Sequence, residues 1–169
     1  EAVLDDDGNP VTGQPGELAI DRNHPNTLLE YWRNPEATAA RFQGNWLLSG
    51  DLAVQDEDGY IWFESRKDDV IKSSGYRIGP GEIESCLGAH EAVAMAAVIG
   101  APDERRGQVP KAFVVLRANH EPSDALAEEL RGHVRTRLAP HEVPREIVFM
   151  DDLPKTTTGK IMRRALRDR

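Results

Sequence analysis

Three stretches of the chain concentrate residue types that could do chemistry. Near the C-terminal end, Leu153-Pro154-Lys155-Thr156-Thr157-Thr158-Gly159-Lys160-Ile161-Met162-Arg163-Arg164 sets a lysine on a polar threonine–glycine loop. The pair Gly159-Lys160 ends like a P-loop, but Pro154 stands where the first glycine of that motif belongs. Ile161 replaces the Ser/Thr that would hold Mg²⁺, so a phosphate cradle of that type is rejected. A second stretch, Ser65-Arg66-Lys67-Asp68-Asp69-Val70-Ile71-Lys72-Ser73-Ser74-Gly75-Tyr76-Arg77-Ile78-Gly79-Pro80-Gly81-Glu82-Ile83-Glu84, has glycines at 75, 79 and 81. That spacing is not G-x-G-x-x-G, which removes a dinucleotide fingerprint. The third, Ser49-Gly50-Asp51, reads as a tight turn just before a strand.

The elements that must position these stretches fall into two regions of different charge. Residues 1–65 carry 13 Asp/Glu and 3 Arg, whereas residues 66–169 carry 16 Asp/Glu and 18 Lys/Arg, within a total of −8. From Lys155 onward, Lys160, Arg163, Arg164, Arg167 and Arg169 face Asp168 alone. The acidic whole disfavours duplex nucleic acid, and a small anion such as a nucleotide fits the basic tail better. The longest apolar run, Ala92 to Ile99, is far short of the roughly 20 residues of a membrane span. A basic-then-apolar leader is missing from the first residues, Cys86 has no internal partner, and the five histidines lack ligand spacing. These features predict a reducing, cytoplasmic setting without metal ligands in the chain.

Hairpin-turn dipeptides Asp7-Gly8 and Asp58-Gly59 punctuate the first region, the latter joining strands Leu52–Gln55 and Tyr60–Glu64; Gly16–Ile20 reads as a further strand. Asn34 and Pro35 open a helix running to Phe42. From about residue 68 the pattern becomes α+β. Strand Val70–Lys72 precedes a helix opened by Gly79-Pro80, with Ile83 and Leu87 on one face. Buried strands follow at Val93–Ile99 and Ala112–Leu116. A helix capped by Ser123 or Asp124 carries the stripe Leu126, Leu130, Val134, Leu138 and ends at Pro140. Strand Glu146–Met150 and a short basic helix, Lys160–Asp168, complete the prediction: helices on a small sheet.

Taken together, R-x-D-D-x-I at 66–71, G-Y-R-I-G-P-x-E-I-E at 75–84 and P-K-T-x-x-G-K-I-M-R-R at 154–164 resemble the C-terminal portion of the AMP-forming acyl-activating enzymes. The likeness covers nearly the whole chain. It is greatest to acetyl- and medium-chain acyl-CoA synthetases. The resemblance implies that residues 1–67 end a large domain in a β-barrel-like subdomain and that 68–169 form a small mobile α+β domain. It implies ATP, Mg²⁺ bound mostly outside this chain, a carboxylic acid and coenzyme A as reactants.

On matching positions, Lys160 would be the catalytic lysine that meets charge building on the α-phosphate. A lysine ammonium is a compact point charge suited to that task. Asp51 would take the ribose hydroxyls with its two acceptor oxygens, and Arg66 would face the same ribose. Arg77 would reach the adenylate phosphate. Asp68 would be the hinge. Ser74, Gly75 and Tyr76 would pass the pantetheine arm of coenzyme A close to backbone, and Arg106 and Arg135 would meet its nucleotide end. Lys160 would also be open to a lysine acetyltransferase and deacetylase, since acetylation erases its charge. The family's phosphate loop and acyl pocket lie upstream of Glu1, so the resemblance implies an N-terminal domain as partner and no complete reaction by these residues alone. Two alternatives stand beside this reading: an aryl- or amino-acid-activating ligase, and a non-catalytic nucleotide- or coenzyme A-binding module.

Overall fold

The computed structural model describes residues 1–167, so Asp168 and Arg169 of the expected basic tail lie outside the described residues. The chain divides into two compact units, Glu1–Asp68 and Asp69–Arg169.

In the first unit, β1 (Ala2–Leu4), β2 (Pro15–Asp21), β3 (Phe42–Gln43), β4 (Trp46–Gln55) and β5 (Ile61–Arg66) form one antiparallel sheet in the order β1-β2-β4-β3, with β5 also on β4. The Asp58-Gly59 turn joins β4 to β5 as expected. Asp56 accepts from the backbone N–H groups of Asp58 and Tyr60, and Gly59 takes a φ of 87°. Helix α1 (Pro35–Ala39) starts as predicted, with the Asn34 side chain accepting from the Ala37 N–H at 3.0 Å. It stops three residues earlier than expected, because Phe42 is drawn into β3 opposite Leu47.

Ser49-Gly50-Asp51 does not precede a strand; it lies inside β4. Between the pairs Ala19–Leu48 and Glu17–Leu52, these three residues oppose Leu18 alone. This is a β-bulge, made possible by a φ of 79° at Gly50, and bulges re-aim side chains while pairing continues on either side.

The second unit contains β6 (Ile71–Ser73), β7 (Tyr76–Ile78), α2 (Pro80–Gly88), β8 (Val93–Asp103), β9 (Gly107–Leu116), α3 (Asp124–Arg135), β10 (Glu146–Phe149) and α4 (Arg163–Arg167). The sheet order is β10-β9-β6-β7, with β8 along β9; β10 runs parallel to β9 and the other pairs are antiparallel. This is the expected α+β class. The two runs, Val93–Ile99 and Ala112–Leu116, are apolar at consecutive residues because both faces of the sheet are covered. Val98, Ala112 and Val114 meet Ile83 and Leu87 of α2 and Leu130 and Val134 of α3. Ala97, Ile99 and Phe113 meet Leu153 and Leu166 of α4 on the other face.

Ser123 is the cap of α3, accepting from the Leu126 N–H at 3.2 Å. The helix ends at Arg135 rather than at Pro140, with Leu138 packed against the core from beyond its C-cap. The expected Lys160–Asp168 helix starts only at Arg163. Lys160 is held instead in a loop closed by a bridge between Lys155 and Ile161. Among the described residues, no helix is long and apolar enough to cross a membrane.

Candidate functional site

The bulge in β4 gathers the first set of predicted residues. Asp51 and Arg66 are cross-strand partners, and Arg66 Nη1 lies 2.9 Å from Asp51 Oδ1. The same guanidinium reaches the Ser49 carbonyl at 3.2 Å and, through Nε, Asp68 Oδ1 at 3.3 Å. Partial burial works against its charge, but the hydrogen bond and charge of Asp51, with Asp68 after it, outweigh this and raise the Arg66 pKa.

Gly50 is needed here twice. Its φ is positive, and a Cβ in its place would stand 2.9 Å from Arg66 Nη2. Beneath it, buried Glu17 accepts from the Gly50 N–H at 3.0 Å and pairs with Lys67 Nζ at 2.7 Å. Sequence reasoning passed over Glu17. Its signal is an acid at an inward position of a strand, which implies a buried partner.

Two loops of the second unit carry the other predicted residues. Lys160 is exposed at the end of its loop. The Thr156 N–H donates to the Lys160 carbonyl at 2.8 Å, the Lys160 N–H donates to Thr156 Oγ1 at 3.1 Å, and Gly159 turns with a φ of 84°. The Met162 N–H donates to the Pro154 carbonyl at 2.8 Å, so both ends of the loop are tied together. Lys155, also exposed, leans on Asp152 at 2.6 Å, and this pairing draws the Asp152 carboxyl below its ordinary range.

The second loop is the tip of the β6–β7 hairpin. Ser74 and Gly75 take φ values of 49° and 87° between the paired residues Ser73 and Tyr76, the two-residue turn that requires positive φ at both centres. The Ser74 N–H donates to the Arg106 carbonyl at 2.9 Å, so three predicted thiol-substrate residues and Arg106 share one corner. Arg106 is fixed by the turn before β9, where Asp103 Oδ1 accepts from its N–H at 2.8 Å. The Arg106 and Arg105 N–H groups hold the Asp103 carboxyl below its usual range. Tyr76, half exposed, stacks on His141 with centroids 4.0 Å apart; nothing in the sequence pattern marks that partner. Arg77 lies opposite Lys72 in the hairpin. Arg135 is exposed on the last turn of α3, and no hydrogen bond or ion pair among the described residues brings it to this corner.

A third cluster lies under α4. Arg163 binds both oxygens of Glu84, at 2.7 and 2.9 Å from Nη2, and Asp69 Oδ2 at 3.1 Å; Arg167 takes the other Asp69 oxygen at 2.7 Å. Burial works against the Arg163 charge, but Glu84 and then Asp69 raise its pKa. Among the described residues, no three His, Cys, Asp or Glu gather where they could hold a metal ion.

With this geometry in hand, residues 82–160 match the family of the AMP-binding enzyme C-terminal domain. The chain is 51% identical to the acetyl-coenzyme A synthetase of Bacillus subtilis over 168 residues, covering 98% of this chain and 29% of that protein. Residues 82–160 thus carry the C-terminal domain of the AMP-binding enzymes, and nearly the whole chain is similar to adenylate-forming ligases. Among solved structures it is similar to the ATP-bound RpMatB-BxBclM chimera B1, with a TM-score of 0.90 and 37% identity over 99% of this chain and 33% of that one. It is also similar to the anthranilate CoA ligase AuaEII in complex with anthranoyl-AMP, with a TM-score of 0.86 and 41% identity over 99% of this chain and 32% of that one. The chain thus spans about a third of the length of these adenylate-forming relatives.

Proposed function

We propose that this chain is the part of an AMP-forming acid–thiol ligase that holds the nucleotide ribose, supplies the adenylation lysine and guides coenzyme A. In the first step a carboxylate oxygen attacks the α-phosphorus of ATP, the bond to the β-phosphate oxygen breaks, and pyrophosphate leaves. The Lys160 ammonium meets the charge that builds on the α-phosphate oxygens. Asp51 accepts hydrogen bonds from the ribose hydroxyls, while Arg66 holds Asp51 in place and faces the same sugar. In the second step the thiol of coenzyme A attacks the acyl carbon, loses its proton, and AMP leaves. Arg77 would steady the adenylate phosphate. The bare Gly75 turn lets the pantetheine arm pass, and Arg106 and Arg135 meet the phosphates of the nucleotide end.

The observation that carries this reading is that Lys160 and the Ser74–Gly75 turn stand on different loops of one unit, Asp69–Arg169. A unit with two working edges suits a reaction in two steps, with residues 1–67 as the end of the large domain, 68–169 as the mobile small domain, and Asp68 as the pivot between steps. Mg²⁺, when bound with ATP, would neutralise phosphate charge through ligands mostly outside this chain. An upstream N-terminal domain would supply the phosphate loop and acyl pocket. Exposed Lys160 would also be the target of an acetyltransferase and a deacetylase that switch adenylation off and on. A cytoplasmic location goes with this reading.

The acid could be aliphatic or aromatic, since relatives include both an acetyl-coenzyme A synthetase and an anthranilate CoA ligase. The test is pyrophosphate release by the full-length protein over a panel of aliphatic and aryl carboxylic acids, with and without coenzyme A. Acid-dependent pyrophosphate, AMP and a coenzyme A thioester are expected. Absence of acid-dependent pyrophosphate across the panel would overturn the reading.

A further inference from the structure

The β6–β7 hairpin is attached to the sheet more thinly than any other strand pair of the second unit. Its backbone pairing with β9 is a single register pair, Ser73 with Gly107, beside which the Ser74 N–H donates to the Arg106 carbonyl. One residue further along, the ladder is continued by a side chain. The Lys72 N–H donates to Gln108 Oε1 at 2.9 Å. A carboxamide here takes the place of a backbone carbonyl at the point where β6 leaves β9.

Space for that carboxamide is made by a neighbouring strand. Gly100, on β8, has no side chain, and a Cβ built there would lie 2.8 Å from Gln108 Oε1 and 2.9 Å from its Cδ. Gly100 has no positive φ to account for the glycine. The demand is for room, and the room is filled by Gln108.

From this lock we infer that Gln108 is a positioning residue for thioester formation. Resting on the assignment of Ser74–Tyr76 to coenzyme A proposed above, it acts through Lys72 to set the pitch of the hairpin. It touches neither reactant. Its amide oxygen fixes the first strand of the hairpin two residues before the turn, while the Lys160 loop is held by its own bridge and does not depend on it.

The experiment uses the full-length protein and separates the half-reactions. Adenylation is followed by acid-dependent ATP–pyrophosphate exchange, and thioester formation by single-turnover transfer from preformed acyl-adenylate to coenzyme A. Gln108→Met keeps the side-chain length and removes the acceptor. Gly100→Ala displaces the amide from the other side. Each should slow transfer about 10-fold or more, since small misplacements of a reacting group are costly, with adenylation within about 2-fold of the starting protein. Gln108→Glu retains an acceptor oxygen and should restore most of the transfer rate.

Unchanged transfer in Gln108→Met, equal loss in both half-reactions, or no recovery in Gln108→Glu overturns the inference. Should Gln108→Met fail to fold, Gly100→Ala carries the same test. Gly75→Val separates the underlying reading. If it leaves transfer untouched, the hairpin does not serve coenzyme A. If it slows transfer while Gln108→Met does not, only the role of Gln108 falls.

Discussion

Arg163 grips Glu84 through a fork of guanidinium nitrogens, with Nη2 at 2.7 and 2.9 Å and Nε at 3.1 Å from its carboxylate. The same carboxylate accepts from the Val98 N–H on β8 at 2.8 Å. Helix α2, strand β8 and helix α4 are therefore fastened at one largely buried acid. Glu84 is first of all a residue of α2. The structure gives it a second task, as the seat of the helix that follows the Lys160 loop.

Glu84→Gln should thus cost about 1.5–3 kcal/mol, the range for hydrogen bonds to charged groups. Urea denaturation of the full-length protein, with a probe in the second unit, measures this. A variant as stable as the starting protein would show that the fork adds nothing beyond shape.

Lys160→Ala should lower adenylation on the order of 10²–10³-fold, by analogy with loss of one transition-state donor. Transfer from preformed acyl-adenylate to coenzyme A should be nearly unchanged. The check is both half-reactions on one preparation; equal losses would contradict a role confined to the first step.

Asp68→Pro should trap one orientation of the second unit, because proline fixes φ near −65°. The substitution also removes the contact of Asp68 with Arg66, so Asp68→Ala is the control. That contact is exposed, and its loss should have little effect. Proline is expected to spare one half-reaction and block the other, with alanine sparing both. Wild-type rates for both steps in Asp68→Pro would refute the hinge.

His133 gives the second unit a pH dependence. Burial first, then the charges of Arg137 and His90, push its pKa below the ordinary 6.5, against the opposing pull of the Cys86 carbonyl and Glu129. The neutral ring suits the fold: Nε2–H donates to the Cys86 carbonyl at 3.1 Å. The unfolded chain therefore binds the proton more readily. The stability that follows is full above pH 6.5 and is lost as pH falls through the lowered native value. Thermal midpoints at pH 7.5 and 5.5 should differ, and His133→Gln should narrow the difference.

Legibility in the sequence followed the range of the signal. Caps at Asn34 and Ser123, the Asp58-Gly59 turn and the stripe Leu130–Val134 are local and appear where the residues predict. Errors arose where distant partners decide. Ser49–Asp51 looks like a turn because its glycine adopts turn dihedrals, yet β2 and β5 hold it inside a strand. Lys160 looks like the start of a basic helix, but the bridge from Lys155 to Ile161 takes its backbone. For the candidate site, the motif resemblance pointed to Asp51, Arg66 and Lys160. Nothing local marks Gln108 or His141, and Glu17 shows only as an acid at an inward strand position; their importance comes from what the chain brings beside them across many residues.

The Lys160 loop is closed at its base by the Lys155–Ile161 bridge and the Met162–Pro154 hydrogen bond. Fixing backbone costs about 1–2 kcal/mol per residue in lost freedom, and here that cost falls once, when the unit folds. Nothing has to crystallise out of a floppy segment each time the amine is wanted. On the proposed reading its arrival would be a swing of a ready-made tool, and the tempo of turnover would belong to the joint that carries it.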